Sequence, residues 1–214
     1  MKILAVEFSS DRRSVAVADD ARVLGTAAET GGRQTHTFAL IGAALAQAGW
    51  EREQIELIAV GLGPGSYTGI RAAIALAQGW QLGLGVRLTG ISSVECLATR
   101  LGALGAVGRR TLIADAQRNE FYRAVYEIAA EGGREVEPLR IVTRSEIEAG
   151  IATGEIVVGP EADRWFPSAR ALNPDAAALA RLAVSRTEFL PGEKIEPIYL
   201  RETTFVKAPP PRVV

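Results

Sequence analysis

The chain has 214 residues, with 24 Lys and Arg against 25 Asp and Glu, so its formal charge is −1. That balance argues against a general electrostatic grip on a polyphosphate backbone. One cysteine, Cys96, excludes an internal disulfide, and one histidine, His36, excludes a histidine-rich metal site.

Only four apolar residues separate Lys2 from Glu7, too few for a secretory core. The uncharged runs 57–70 and 72–86 fall short of the roughly 20 residues that a membrane span needs. A soluble, cytoplasmic chain is expected. Short apolar runs at 3–6, 15–17 and around Val23, separated by polar turns, predict an antiparallel meander. Phe38, Leu40, Ile41, Ala44, Leu45 and Ala48 then share one helical stripe, stopped by Gly49. Residues 55–62 form a strand candidate that enters a glycine loop, and 70–82 predicts a helix ended by Gly83 and Gly85. Ser92-Ser93-Val94-Glu95 fits a capping box that opens a third helix toward Leu101, and the glycine-rich stretch 102–108 reads as a link.

After the link the opening pattern returns. Leu112-Ile113-Ala114-Asp115 matches Leu4-Ala5-Val6-Glu7 at an offset of 108 residues, and Arg123-Ala124-Val125 meets Val15-Ala16-Val17 at the same offset. An offset near half the chain suggests a duplicated lobe, with chance similarity between two hairpins as the plainer alternative. The division expected is 1–105 and 106–214, with a C-terminal tail that returns to the first lobe. Further on, Thr143 with Glu146, or Ser145 with Glu148, would cap a helix, and 156–158 reads as a strand. Asn173-Pro174-Asp175 starts a last helix with proline at its first position and Leu179, Leu182 and Ala183 facing inward. Pro209-Pro210-Pro211 ends regular structure.

The strongest local signal is Gly63-Pro64-Gly65-Ser66-Tyr67-Thr68-Gly69-Ile70-Arg71, between a strand and a helix. It matches neither the Walker pattern nor G-x-G-x-x-G. Two readings stay open: an anion site at the helix N-terminus, helped by Ser66, Thr68 and Arg71, or a tight turn packed against another backbone. Glu7 and Asp115 end equivalent strands. They would either face one cleft around a metal or proton, or each cap a hairpin turn. No nucleophile motif is present, His36 reads as a surface or helix-end residue, and Cys96 reads as a small buried hydrophobe. The helix 72–84 carries no charge and has small residues on every side, which suggests a partner over its outer face.

Together these motifs resemble the TsaB (YeaZ) family, relatives of TsaD/Kae1 within the actin/Hsp70/sugar-kinase (ASKHA) superfamily. The carriers are Ile3 to Ser10, Ser14 to Val17, the motif Gly63 to Arg71, Ala77-Gln78-Gly79, Asp115-Ala116 with Arg118-Asn119-Glu120 and Tyr122, and Pro197-Ile198-Tyr199-Leu200-Arg201. Glu7 stands where the family usually has aspartate, and Arg33 where it often has histidine. The resemblance implies an α/β fold of two lobes, each a mixed β-sheet flanked by helices. It implies a non-catalytic scaffold for threonylcarbamoylation of the adenosine beside the anticodon in tRNA. The chain would bind TsaD together with TsaE, form a homodimer in isolation, and meet tRNA only through the complex. The expected partner surface is Phe38, Ile41, Leu45, Tyr67, Ala73, Ala77 and Trp80. Candidate nucleotide or anion contacts are Glu7, Ser9, Gly63, Gly65, Ser66, Thr68, Arg71 and Asp115. No catalytic residue, metal or cofactor of its own is expected, with ATP or ADP and Mg²⁺ at the interface of the complex. The alternative is a small ATP-dependent phosphotransferase that uses Glu7 and Asp115.

Overall fold

A computed structural model describes residues 1–31, 36–130 and 132–201. Arg33 and Pro209-Pro210-Pro211 lie outside the described residues. The meander forms as the apolar runs predict: β1 (Lys2–Glu7), β2 (Arg12–Asp19) and β3 (Arg22–Thr30) pair antiparallel in sequence. α1 (Thr37–Ala48) follows, then β4 (Leu57–Gly61), α2 (Tyr67–Leu84), β5 (Arg87–Ile91) and α3 (Ser93–Ala103). Gly49 and Gly85 stop α1 and α2 in left-handed geometry, at φ 66° and 68°. Ser92 caps α3 by accepting the Val94 N–H, without the reciprocal glutamate of a full capping box.

The second half repeats this plan. β6 (Gly108–Asp115), β7 (Glu120–Ala129) and β8 (Gly132–Thr143) form the second meander, followed by α4 (Arg144–Ala152), β9 (Val157–Gly159), α5 (Ala162–Trp165), β10 (Arg170–Ala171) and α6 (Ala176–Ala183). The first sheet runs β3-β2-β1-β4-β5, and the second, read in the matching sense, runs β8-β7-β6-β9-β10. β4 and β9 join parallel to β1 and β6, so both sheets are mixed. This is the two-lobed α/β architecture that the resemblance implied, with the pattern matched across 108 residues realised as equivalent hairpins.

The first sheet is covered on both faces. Leu4, Val6, Ile58 and Val60 pack under α1 and α2, while the alternate residues Ile3, Ala5, Leu57 and Ala59 pack under α6. In the second sheet, Leu112, Ala124 and Tyr126 meet α3, and Ile113, Phe121 and Val157 meet Ile147 of α4 and Phe166 at the end of α5. Each half therefore lends its last helix to the other half's sheet, and α3 and α6 also touch each other. Burying one such Leu or Ile side chain is worth about 1.5–3 kcal/mol, so this exchange ties the lobes together through their cores.

Two local expectations change. Pro174 lies before the cap of α6, not in its first turn, because Asp175 is the N-cap and its side chain accepts the Ala178 N–H. β8 has no counterpart in the apolar pattern because it is an edge strand with Arg134, Glu135 and Arg140 exposed along it. Of the two cap pairs in 143–148, Thr143 with Glu146 forms the box that starts α4.

Candidate functional site

The glycine motif is a packed turn. Ser66 N–H donates to the Ser9 carbonyl at 2.7 Å. A Cβ at Gly65 would collide with that same carbonyl, and one at Gly69 with the carbonyl of Phe8. The glycines thus let the start of α2 lie directly on the chain leaving β1. Ser66 caps α2 by accepting the Gly69 N–H at 3.3 Å. Gly63 is buried and donates its N–H to Ser93 Oγ at 3.0 Å. Ser66 and Thr68 do border the space between the lobes. Arg71 turns elsewhere, lying 4.6 Å over the Tyr67 ring.

Glu7 does not face that space. It is 0% exposed, and both carboxylate oxygens are used internally: Oε1 accepts the Ser9 N–H at 2.8 Å and Oε2 accepts the Ser93 hydroxyl at 2.8 Å. Gly61 makes room for it, since a Cβ there would strike the carboxylate. Burial pushes the Glu7 carboxyl above its ordinary 4.5, against the pull of the Ser9 and Ser93 hydrogen bonds. Asp115 repeats half of the arrangement. Its Oδ1 accepts the Gln117 N–H at 2.7 Å, also two residues on, but the side chain is exposed. Of the two readings of this acid pair, the turn-capping one describes the geometry. Expecting Glu7 as a cleft contact is corrected, because strand position alone does not reveal that Gly61 and the start of α3 close over it.

Between the lobes lies a cleft of about 320 Å³. Ser9, Ser10, Asp11 and the start of α2 line one side, and Asp115, Gln117, Pro160 and Glu161 the other. Asp11 and Glu161 had no signal in the sequence beyond their turn positions. No Lys or Arg lines this cleft among the described residues.

The helix face needs a larger correction. Ala73 and Ala77 are each 0% exposed, and Ile41 and Leu45 are buried with them in the first lobe's core. They hold α1 and α2 to their own sheet, so Ala73 and Ala77 are not available to a partner, and Ile41 and Leu45 reach the surface only at the floor of a groove. Phe38 is 77% exposed, Tyr67 is exposed, and Trp80 is partly buried, so these three do border the surface. The outward face of α2 is instead Thr68, Ala72, Ala75, Gly79, Leu82 and Gly83, with Leu82 at 90% exposure. On α1 it is Phe38, Ala39, Gly42, Ala43 and Ala46. Between the two helices runs a groove of about 380 Å³, lined by Phe38, Ile41, Gly42, Leu45, Trp50 and Trp80, among others. Helical periodicity found an apolar stripe, but α2 is apolar or small on both faces, so periodicity could not say which face met the sheet.

His36 is the N-cap of α1, on the surface, with Nδ1 3.2 Å from Glu29 Oε2. Cys96 is buried, and burial pushes its thiol well above its ordinary value. Among the described residues no group of three or more His, Cys, Asp or Glu is placed to hold a metal. No helix there is long and apolar enough to cross a membrane.

A family model described as TsaD, tRNA N6-adenosine threonylcarbamoyltransferase, matches residues 34–146, more than half of the chain. The chain belongs to the TsaB/YeaZ family. The tRNA threonylcarbamoyladenosine biosynthesis protein TsaB of Escherichia coli is 31% identical over 150 residues, which cover 69% of this chain and 64% of that protein. This match therefore spans less than two thirds of that relative's length. TsaB of Haemophilus influenzae is 28% identical over 98% of both chains. A crystal structure from Pseudomonas aeruginosa, described as similar to peptidase YEAZ, superposes with a TM-score of 0.80 at 25% identity, covering 94% of this chain and 99% of that one. The two-lobed fold and the outward helix face are thus features of a TsaB-family chain.

Proposed function

We propose that this chain is a non-catalytic scaffold subunit in the biosynthesis of threonylcarbamoyladenosine, acting on the adenosine beside the anticodon in tRNA. In this reading it binds and stabilises the TsaD subunit together with TsaE, and tRNA is met through the complex. The observation that carries it is the exposed face of α1 and α2, with Arg71 as the charge at its edge, where Ala39, Gly42, Ala43, Ala72, Ala75 and Gly79 leave the backbones open to close helix packing. A soluble chain leaves such a face uncovered only at a cost in solubility. The same face would pair two copies in isolation. Family membership and the names of the Escherichia coli and Haemophilus influenzae relatives support the pathway.

Nucleotide with Mg²⁺ belongs, in this reading, to the complex. The chain's own cleft does not fit a free triphosphate: Asp11, Asp115 and Glu161 border it, no cation among the described residues lines it, and Glu7 is sealed away. The same facts weigh against the phosphotransferase alternative.

The test is reconstitution. Yield of modified tRNA is measured with TsaD and TsaE present and this chain added or omitted, and equal yields would defeat the proposal. Ala75→Arg and Gly79→Arg should abolish co-elution with TsaD while leaving the melting temperature near that of the parent.

A further inference from the structure

The segment Pro197–Arg201 crosses from one lobe to the other along the rim of the cleft. On the first lobe, the Ile198 N–H donates to the Leu62 carbonyl at 2.9 Å. Tyr199 stacks on Tyr67, in the first turn of α2, with ring centroids 5.7 Å apart and planes 24° from parallel. Arg71, one turn along the helix, donates from Nε to the Tyr199 hydroxyl at 3.4 Å. Two residues later the chain has reached the second lobe. Arg201 donates to the Ala116 carbonyl at 2.9 Å and to the Glu120 carboxylate at 2.6 Å.

Those two acceptors flank the turn between β6 and β7. Its residues Gln117, Arg118 and Asn119 have φ of 61°, 58° and 62°, three consecutive left-handed conformations without a glycine. Left-handed backbone is costly for L-residues and persists where its surroundings over-determine it. Arg201 supplies such a constraint by bonding both ends of the turn. Tyr67 and Gln117 both line the cleft, from opposite sides. Other polar links between the halves, Arg100 with Asp175 and Arg186 with Glu95, join α3 to α6 and the chain beyond it.

We propose that Pro197–Arg201 is a strap that sets the opening of the inter-lobe cleft and holds the Gln117–Asn119 turn in its left-handed form. The cores exchanged through α3 and α6 act as the hinge, and the strap ties the two rims. Its contacts are half-exposed, one aromatic stack and one ion pair, so each is individually weak. Losing them releases the rims without unfolding either lobe. This goes beyond the scaffold reading and does not depend on it, because it concerns the isolated chain.

The experiment places spin labels at Asp11→Cys and Asp163→Cys, exposed positions on opposite lobes, in the full chain, where Cys96 is buried and stays unlabelled. Labelled protein is diluted with unlabelled protein so that self-association adds no distances. The parent should give a narrow distance distribution. Arg201→Ala and Tyr199→Ala should each shift it to longer distances and broaden it, and Arg201→Glu combined with Glu120→Arg should restore a narrower distribution than either single exchange. Amide exchange at Gln117–Asn119 should speed up in the single variants. Should Tyr199→Ala fail to fold by circular dichroism, Arg201→Ala and the charge swap decide. A distribution for Arg201→Ala that superimposes on the parent would overturn the strap.

Discussion

The two lobes share a topology and differ at one corner. After β4 the first lobe has α2, 18 residues long, while after β9 the second has α5, only 4 residues long. The acids ending β1 and β6 make the same hydrogen bond to the backbone two residues on, at 2.8 and 2.7 Å. Yet Glu7 is sealed against Gly61 and Ser93 at the start of α3, and Asp115 is open to solvent. Identical local chemistry becomes a core element in one lobe and a surface turn in the other.

That asymmetry can be broken most strongly at α2 itself. Ala77→Arg, which points into the first lobe, should cost about 4 kcal/mol or more by burying an unpaired charge, enough to prevent folding as judged by near-UV circular dichroism. Ala75→Arg, outward on the same helix, should stay within about 0.5 kcal/mol of the parent. Equal effects would mean that the helix is rotated from the face described above.

Next come the paired acids. Glu7→Ala should destabilise by about 2–4 kcal/mol in urea unfolding, since it opens a cavity and leaves the Ser93 hydroxyl and Ser9 N–H without an acceptor. Asp115→Ala, at an exposed turn, should cost less than about 1 kcal/mol. The pH dependence sharpens the contrast. Because burial raises the Glu7 carboxyl in the folded protein, the folded state binds its proton more tightly than the unfolded state. The stabilisation from this group is complete below the ordinary value of 4.5 and is lost as pH rises through the raised value. Glu7→Gln should flatten that decline in urea unfolding followed upward from pH 4.5, where the folded state still holds the proton that the unfolded state has lost. A slope identical to the parent's would show that Glu7 is not the titrating group.

The smallest test compares the first helix of each lobe. α4 begins with the Thr143–Glu146 capping box, whereas the His36 side chain makes no cap bond to α1. Thr143→Ala should lower stability by about 1 kcal/mol, and His36→Ala should leave it nearly unchanged.

Much of this was legible in the residues. The runs 3–6, 15–17 and 112–115 placed three central strands and the repeat, and the glycine motif located the junction of β4 and α2. Thr143 and Glu146 marked a helix start that the structure realises. What stayed hidden was orientation. Ala73 and Ala75 are the same residue type two positions apart, one buried under the sheet and one open to solvent, and no local property separates them. Likewise Arg201 gave no sign that its partners are Ala116 and Glu120, some eighty residues earlier.

The sequence by itself determined a near-neutral chain of two related α/β halves, because apolar periodicity and turn chemistry are local and survive without a partner element. Tertiary structure alone decided which face of α2 is free, that Glu7 is buried while Asp115 is not, and that α3 and α6 trade lobes. Those outcomes depend on what packs against each residue from distant parts of the chain. The charge of −1 fixes only the balance of charges, and only the fold gathers Asp11, Asp115 and Glu161 around the cleft.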